Sequence, residues 1–218
     1  MDEGLQQLLL VLLGGLLATL SPGIVDAIAR KKRRVEFRQV VSTELHELRF
    51  LLALILIRVH GKLHTMNQEA VDLIRPILLE YKGHADDVAL LDATKKLLGK
   101  GDASFIALHN APAGSVTGLW PLPYHAPYLD GHLNELALLP VEMQRSLLRV
   151  LAEVSLFNEQ VAFVQKATDR TFDSSLSREN YLANDANLKS GTEKLATRAS
   201  ELIRAINRVL DRQGNPLK

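Results

Sequence analysis

GLQQLLLVLLGGLLATLSPGIVDAIARKKRRVEFR, residues 4–38, is the stretch whose reading decides how the rest of the chain is arranged. Gly4 to Val25 is 22 residues without a charge, and Leu8 to Leu20 is almost wholly aliphatic. At about 1.5 Å rise per residue, roughly 20 such residues cover the ~30 Å hydrocarbon layer of a bilayer. The run therefore predicts a transmembrane anchor over residues 1–29. Ser21-Pro22-Gly23 should kink or end that helix near the interface, because proline lacks a backbone donor and crowds the preceding turn.

A dense basic cluster follows at once: Arg30, Lys31, Lys32, Arg33 and Arg34, with Arg38 one turn on. Positive charge stays on the cytoplasmic side of a span, so the expected topology has the N-terminus outside and everything after Arg30 inside. The implied location is a cell (inner) membrane, crossed once. The cluster is also an expected contact for anionic lipid head groups, in addition to acting as a topology signal. Ala27-Ile28-Ala29 resembles a signal-peptide cleavage site, but Asp2 and Glu3 are the reverse of a basic n-region. Within the span, Gly14 and Ala18, and Gly15 and Thr19, have the small-xxx-small spacing that permits close helix approach.

Composition limits the remainder. There are no cysteines, which excludes disulfides, thiolate metal sites and cysteine nucleophiles. Aromatic residues make up 5%, and the aliphatic excess suits packed helices better than sheet. Taking the six basic residues between Arg30 and Arg38 from the 26 Lys and Arg leaves 20, against 25 Asp and Glu. A nucleic-acid surface spread over a mildly acidic domain is not expected.

Working outward, residues 30–40 read as a basic juxtamembrane segment continuing into a long first helix, and 41–213 as a cytoplasmic helical bundle. Val41, Leu45, Leu48, Leu52, Ile55 and Val59 mark one helical face; Phe50, Leu54, Ile57 and Gly61 mark a second. Phe50 to Ile57 is apolar all round but only eight residues long, too short to cross a bilayer. It reads as the surrounded helix of a bundle. Asn67 is a fair N-cap for a segment carrying Val71, Ile74, Leu78 and Tyr81, with Pro76 expected to kink or split it and Lys82-Gly83 to end it. Asp86 to Leu98 gives another short helix, closed by Gly99-Lys100-Gly101.

From about 101 to 125 the chain turns irregular and rich in proline and glycine. Helix should resume near Ala126 or Tyr128 and stop at Leu139-Pro140, with Pro140 opening the next helix. Leu147, Val150, Leu151, Val154, Phe157, Val161 and Val164 mark a long amphipathic helix to about Arg170. In the last helix Tyr181, Leu188, Leu195, Leu202 and Val209 recur every seven residues, with Thr192, Ala199 and Ile206 between them. That is a heptad, coiled-coil-like seam, and Ser174-Ser175 turn it back antiparallel on its predecessor. The expectation is an all-α protein: one N-terminal transmembrane helix, then an antiparallel bundle with long first and C-terminal helices.

Chemistry is harder to find. His60 and His64, four apart, should share a helical face, with His46 roughly on the same side, but no acidic residue completes a zincin pattern. No metal site, cofactor or catalytic residue is assigned. Trp120, Tyr124, His125, Tyr128, Asp130 and His132 form a polar-aromatic cluster where irregular chain re-enters helix. It would serve as a partner or ligand groove, or as a plug on the bundle end with solvated histidines. Asn158 could face Asn184 or Asn187 across the antiparallel pair as a buried polar layer that fixes register. The functional expectation is a membrane-anchored interaction, scaffold, sensor or accessory subunit acting through self-association or a protein partner. The alternative is a tethered enzyme or ligand-binding sensory domain using Trp120 to His132.

Overall fold

Phe50 to Ile57 is apolar on every side, and a helix with that pattern must be enclosed. In the computed structural model Phe50, Leu52, Ala53, Leu54, Ile55 and Leu56 are all buried. The structure describes residues 3–81, 88–111, 123–173, 175 and 177–214, with side chains described from residue 23 onward except at 88–91 and 213–214. The order is α1 (Glu3–Leu63), α2 (Gln68–Glu80), α3 (Val88–Gly99), α4 (Asp102–Asn110), α5 (Pro127–Gly131), a 3-10 turn (Leu133–Leu138), α6 (Val141–Thr171) and α7 (Arg178–Gly214). No strand occurs among the described residues.

Three long helices make the frame, and α7 runs antiparallel to both of the others. Arg49 of α1 reaches Asn207, while Leu63 at the end of α1 lines the same groove as Glu193. On the other side Arg212 bonds Ser146, Gln160 bonds the Gly191 carbonyl, and Asn184 bonds the Ala167 carbonyl. Leu45, Leu52, Leu147, Phe157, Leu195 and Leu202 sit fully buried between these helices. Each such side chain contributes roughly 1.5–3 kcal/mol by leaving water. The heptad positions of α7 are consumed inside the molecule: Thr192, Leu195, Ala199, Leu202, Ile206 and Val209 are buried, Leu188 is half-buried and Tyr181 exposed. That seam is an intramolecular one.

The helix ends follow their sequence chemistry. The Asn67 side chain accepts from the Ala70 N–H at 2.9 Å and so caps α2. Pro76 lies inside α2 without splitting it, on the exposed face, where solvent can reach the carbonyl left without its donor. Gly101 takes φ +103°, which lets α3 pass into α4 within two residues. α1 closes in a Schellman pattern, Thr65 N to His60 O at 3.0 Å and His64 N to Gly61 O at 3.3 Å, with His64 left-handed at φ 54°.

Several expectations need correcting. α1 runs as helix straight through Ser21-Pro22-Gly23, since one missing donor leaves the rest of the ladder intact. The irregular stretch is shorter than 101–125, because residues 102–110 form α4, which is too short to show periodicity and carries one buried anchor, Phe105. α5 breaks at His132 before the 3-10 turn. Pro140 precedes the first residue of α6 as its cap position. Lys82-Gly83, Trp120 and Ser174 lie outside the described residues.

Among the described residues no helix is long and apolar enough to cross a membrane, so the structure gives no support to the expected transmembrane anchor. Most of that run, residues 4–22, falls where side chains are not described.

Candidate functional site

The basic cluster sits on bare helix. From Gly23 to Glu36 every residue of α1 is exposed, and burial begins abruptly at Phe37, 1% accessible. At about 1.5 Å per residue, this exposed stretch alone is roughly 20 Å long. Arg30 to Arg34 span more than one full turn, so their charges surround the helix as a collar. Arg30 Nε donates to the Asp26 carbonyl at 3.3 Å, and Lys32 lies 3.8 Å from Glu36. Both contacts are solvent-exposed and worth little. Arg38 is half-buried and belongs to the bundle, so the collar proper is Arg30, Lys31, Lys32, Arg33 and Arg34.

The polar-aromatic cluster is built into the frame. Glu44, one helix away, accepts from the N–H groups of Tyr128 at 2.8 Å and Leu129 at 3.0 Å, placing a carboxylate at the N-terminus of α5. Tyr128 packs on Phe37 with ring centroids 5.9 Å apart and stacks on His132 at 4.1 Å. His132 Nδ1 donates to the Tyr128 carbonyl at 2.8 Å. Tyr124 packs toward Phe157, while His125 and Asp130 are exposed. These contacts dock residues 124–132 onto α1 and α6, with His132 half-buried against Tyr128 and His125 exposed, while Trp120 lies outside the described residues. Nothing in the sequence marks Glu44 as their cap, because its partners lie 84 and 85 residues away.

The asparagine layer is rearranged. Asn158 does not meet Asn184 or Asn187. Its amide holds both backbone groups of Tyr124, accepting from the N–H at 2.9 Å and donating to the carbonyl at 2.6 Å. Asn184, 6% accessible, donates to the Ala167 carbonyl at 2.8 Å, and Asn187 is exposed. Asn110 repeats the two-point pattern on Met66, at 2.8 Å in each direction. The register of α6 against α7 is set instead by side chain to backbone bonds from Gln160 and Asn184.

His60 and His64 do not share a face, because α1 ends at Leu63 and His64 turns out of the helix. No group of three metal-ligating side chains occurs among the described residues.

Two concavities escaped sequence reading. The smaller, about 290 Å³, lies between α1 and α2 over Thr43, His46, Glu47, Arg49, Ile77, Glu80 and Tyr81. Arg49, with 11% of its side chain accessible, donates to Asn207 at 3.1 Å, Glu80 at 3.2 Å and His46 Nδ1 at 3.2 Å, tying α1, α2 and α7 together. A guanidinium only donates, so Nδ1 of His46 is unprotonated here. Burial, then the Arg49 charge, lowers the His46 pKa. Tyr81 donates to Glu47 at 2.6 Å and stacks on Phe50 at 3.6 Å. The larger, about 380 Å³, is a groove between the α1–α2 corner and α7.

The chain was compared with models of protein families, with curated proteins and with solved structures, and none of them matches it.

Proposed function

We propose that this chain is a single-pass membrane protein whose helical bundle lies on the cytoplasmic side of a cell (inner) membrane and works as an interaction or accessory subunit. The supporting observation is the bare α1 stalk. A helix leaves the bundle at Phe37, carries a five-residue basic collar in open solvent, and continues toward an uncharged run of 22 residues. A helix exposed to solvent from Gly23 to Glu36 is held by no described residue there, and a bilayer with anionic head groups supplies an environment for both the uncharged run and the collar.

The contact surface in this reading is the far end of the molecule. Beyond Glu193, which lies level with the end of α1, α6 and α7 continue as a two-helix hairpin. Phe163 at 49%, Phe172 at 83% and Leu182 at 61% accessibility are exposed on it, together with Tyr181. Apolar groups left open at the tip of a bundle offer a surface for self-association or partner docking.

The chain has no native cysteine, so Asp2→Cys and Asp211→Cys can be labelled separately with an impermeant thiol reagent in intact cells. Labelling of Asp2→Cys alone is expected. Labelling of Asp211→Cys before permeabilisation would reverse the topology, and recovery of the whole chain in the soluble fraction would end the anchoring reading. Cross-linking through Leu182→Cys in native membranes tests the tip, which a wholly uncross-linked monomer would rule out.

A further inference from the structure

The solvent face of α6 carries an apolar stripe that no described residue covers. Val141, Leu148 and Phe163 are 57%, 51% and 49% accessible, Leu156 is 38% accessible, and Ala152 is exposed between them. With Arg145 and Glu159, both exposed, these positions follow one another in steps of four, three and four residues. That eleven-residue period keeps them on one line of a nearly straight helix, about 33 Å long from Val141 to Phe163. The line lies opposite the face that buries Leu147, Val150, Val154, Phe157 and Val161.

The order along the stripe is symmetric about Ala152. Leu148 and Leu156 stand four residues from it, Arg145 and Glu159 seven, Val141 and Phe163 eleven. A second copy laid antiparallel on this face, with a two-fold axis at Ala152, sets leucine against leucine and valine against phenylalanine. It also sets Arg145 against the partner's Glu159, twice, once on each side of the axis. A parallel copy in register would instead oppose like charges. Alanine at the axis lets the two helices approach closely. Arg145 already meets Glu142 at 3.0 Å, but that pair is open to solvent at both ends and worth little. Glu159 makes no ion pair among the described residues.

We propose that this face is the contact between two copies of the chain, an antiparallel two-fold dimer of α6 centred on Ala152. The pairing stands apart from the membrane reading and shares only Phe163 with the hairpin tip. α6 runs in the same direction as α1, both being antiparallel to α7, so the two stalks of the dimer leave at opposite ends. Where those stalks are anchored, the dimer joins two bilayer surfaces rather than sitting on one.

The test is the mass of the whole chain in detergent micelles, followed by sedimentation over a concentration series. A dimer is expected, with its dissociation constant raised at least about tenfold by Arg145→Glu or by Glu159→Arg. Each change sets like charges face to face, and the double swap Arg145→Glu/Glu159→Arg should recover the native affinity. Both side chains are exposed, so the thermal midpoint of the bundle should hold. Direction is read separately, by oxidation of single cysteines in a chain that has none of its own. Ala152→Cys should give a disulfide-linked dimer, and Val141→Cys should give one only when mixed with Phe163→Cys. A monomer at every concentration up to about 100 μM leaves the stripe to another partner and overturns the proposal. A dimer indifferent to both swaps, an unlinked Ala152→Cys chain, or Val141→Cys linking to itself would each do the same.

Discussion

Asn158 grips Tyr124 by both backbone groups, with its Oδ1 2.9 Å from the amide nitrogen and its Nδ2 2.6 Å from the carbonyl oxygen. A side-chain amide is the group that can donate and accept toward one residue at this spacing. Asn158→Asp keeps the acceptor and turns a carboxylate oxygen toward the Tyr124 carbonyl, and Asn158→Leu leaves both backbone groups unpaired. Either change should cost about 1–3 kcal/mol of bundle stability, read as a lower urea midpoint without change in slope. Tolerance of leucine would show that Tyr124 is not held this way.

His64 occupies a left-handed position, φ 54°, at the close of α1. A Cβ there crowds the following carbonyl, and glycine relieves it. His64 is exposed, and its side chain takes no part in the capping bonds, which are backbone to backbone. His64→Gly should stabilise the bundle by about 0.5–1 kcal/mol, measured as a raised denaturation midpoint. A loss of stability would mean that the imidazole makes a contact worth more than the strain.

These two residues show what was legible in the sequence. Heptad spacing in α7 and the apolar run in α1 repeat over many residues, so the long helices and their buried faces could be read directly. Asn67 as a cap was legible because its partner lies three residues on. Asn158 and Glu44 were not, since each serves backbone 34 or more residues away in an aperiodic segment. The heptad seam was read as packing back on the preceding helix; that α1 also runs along it, with Arg49 reaching Asn207, was not legible because the two lie 158 residues apart. The His60/His64 spacing assumed a helix that the left-handed turn at His64 closes one residue earlier.

Glu44 supplies a charged cap to α5 from another helix, reaching both Tyr128 and Leu129 N–H groups. Glu44→Gln retains one acceptor and aims an NH2 at a donor, so α5 should loosen at a cost of about 1–2 kcal/mol. Hydrogen exchange of the Tyr128 and Leu129 amides reads this locally. Exchange there should accelerate while amides of α6 and α7 keep their protection.

Acid should weaken the bundle through two histidines. Burial is the first cause lowering both His46 and His60 below 6.5, and Arg49 acts in the same direction on His46 while Glu80 and Glu47 oppose it. The Thr65 carbonyl opposes it at His60. Between the lowered folded values and 6.5 the unfolded chain binds more protons than the folded one. Stability therefore rises with pH in that window: it is present above 6.5 and lost as pH falls through the folded values. The thermal midpoint should drop between about pH 7 and about pH 5, and His46→Gln/His60→Gln should flatten the dependence. A double variant with the same pH slope as the native chain would remove these two histidines from the account.

Gly191 marks a close approach of α7 to α6. A Cβ built there would stand 2.9 Å from Phe163 Cε1 and 3.1 Å from Val164 Cγ2, and its carbonyl already accepts from Gln160. The Phe163 ring is half exposed and can swing out, whereas Val164 is buried between the helices and cannot. Alanine should therefore gain about 1 kcal/mol of helix propensity and lose a similar amount to crowding, leaving stability nearly unchanged. Leucine at 191 should cost about 1–3 kcal/mol, because the helices must separate along the Gln160–Gly191 contact. Adding Phe163→Ala should restore part of that loss by opening the exposed side of the gap. Denaturation midpoints of the two single variants and the double variant give the coupling directly. Additive effects would mean that Phe163 moves freely and that Val164 alone sets the spacing.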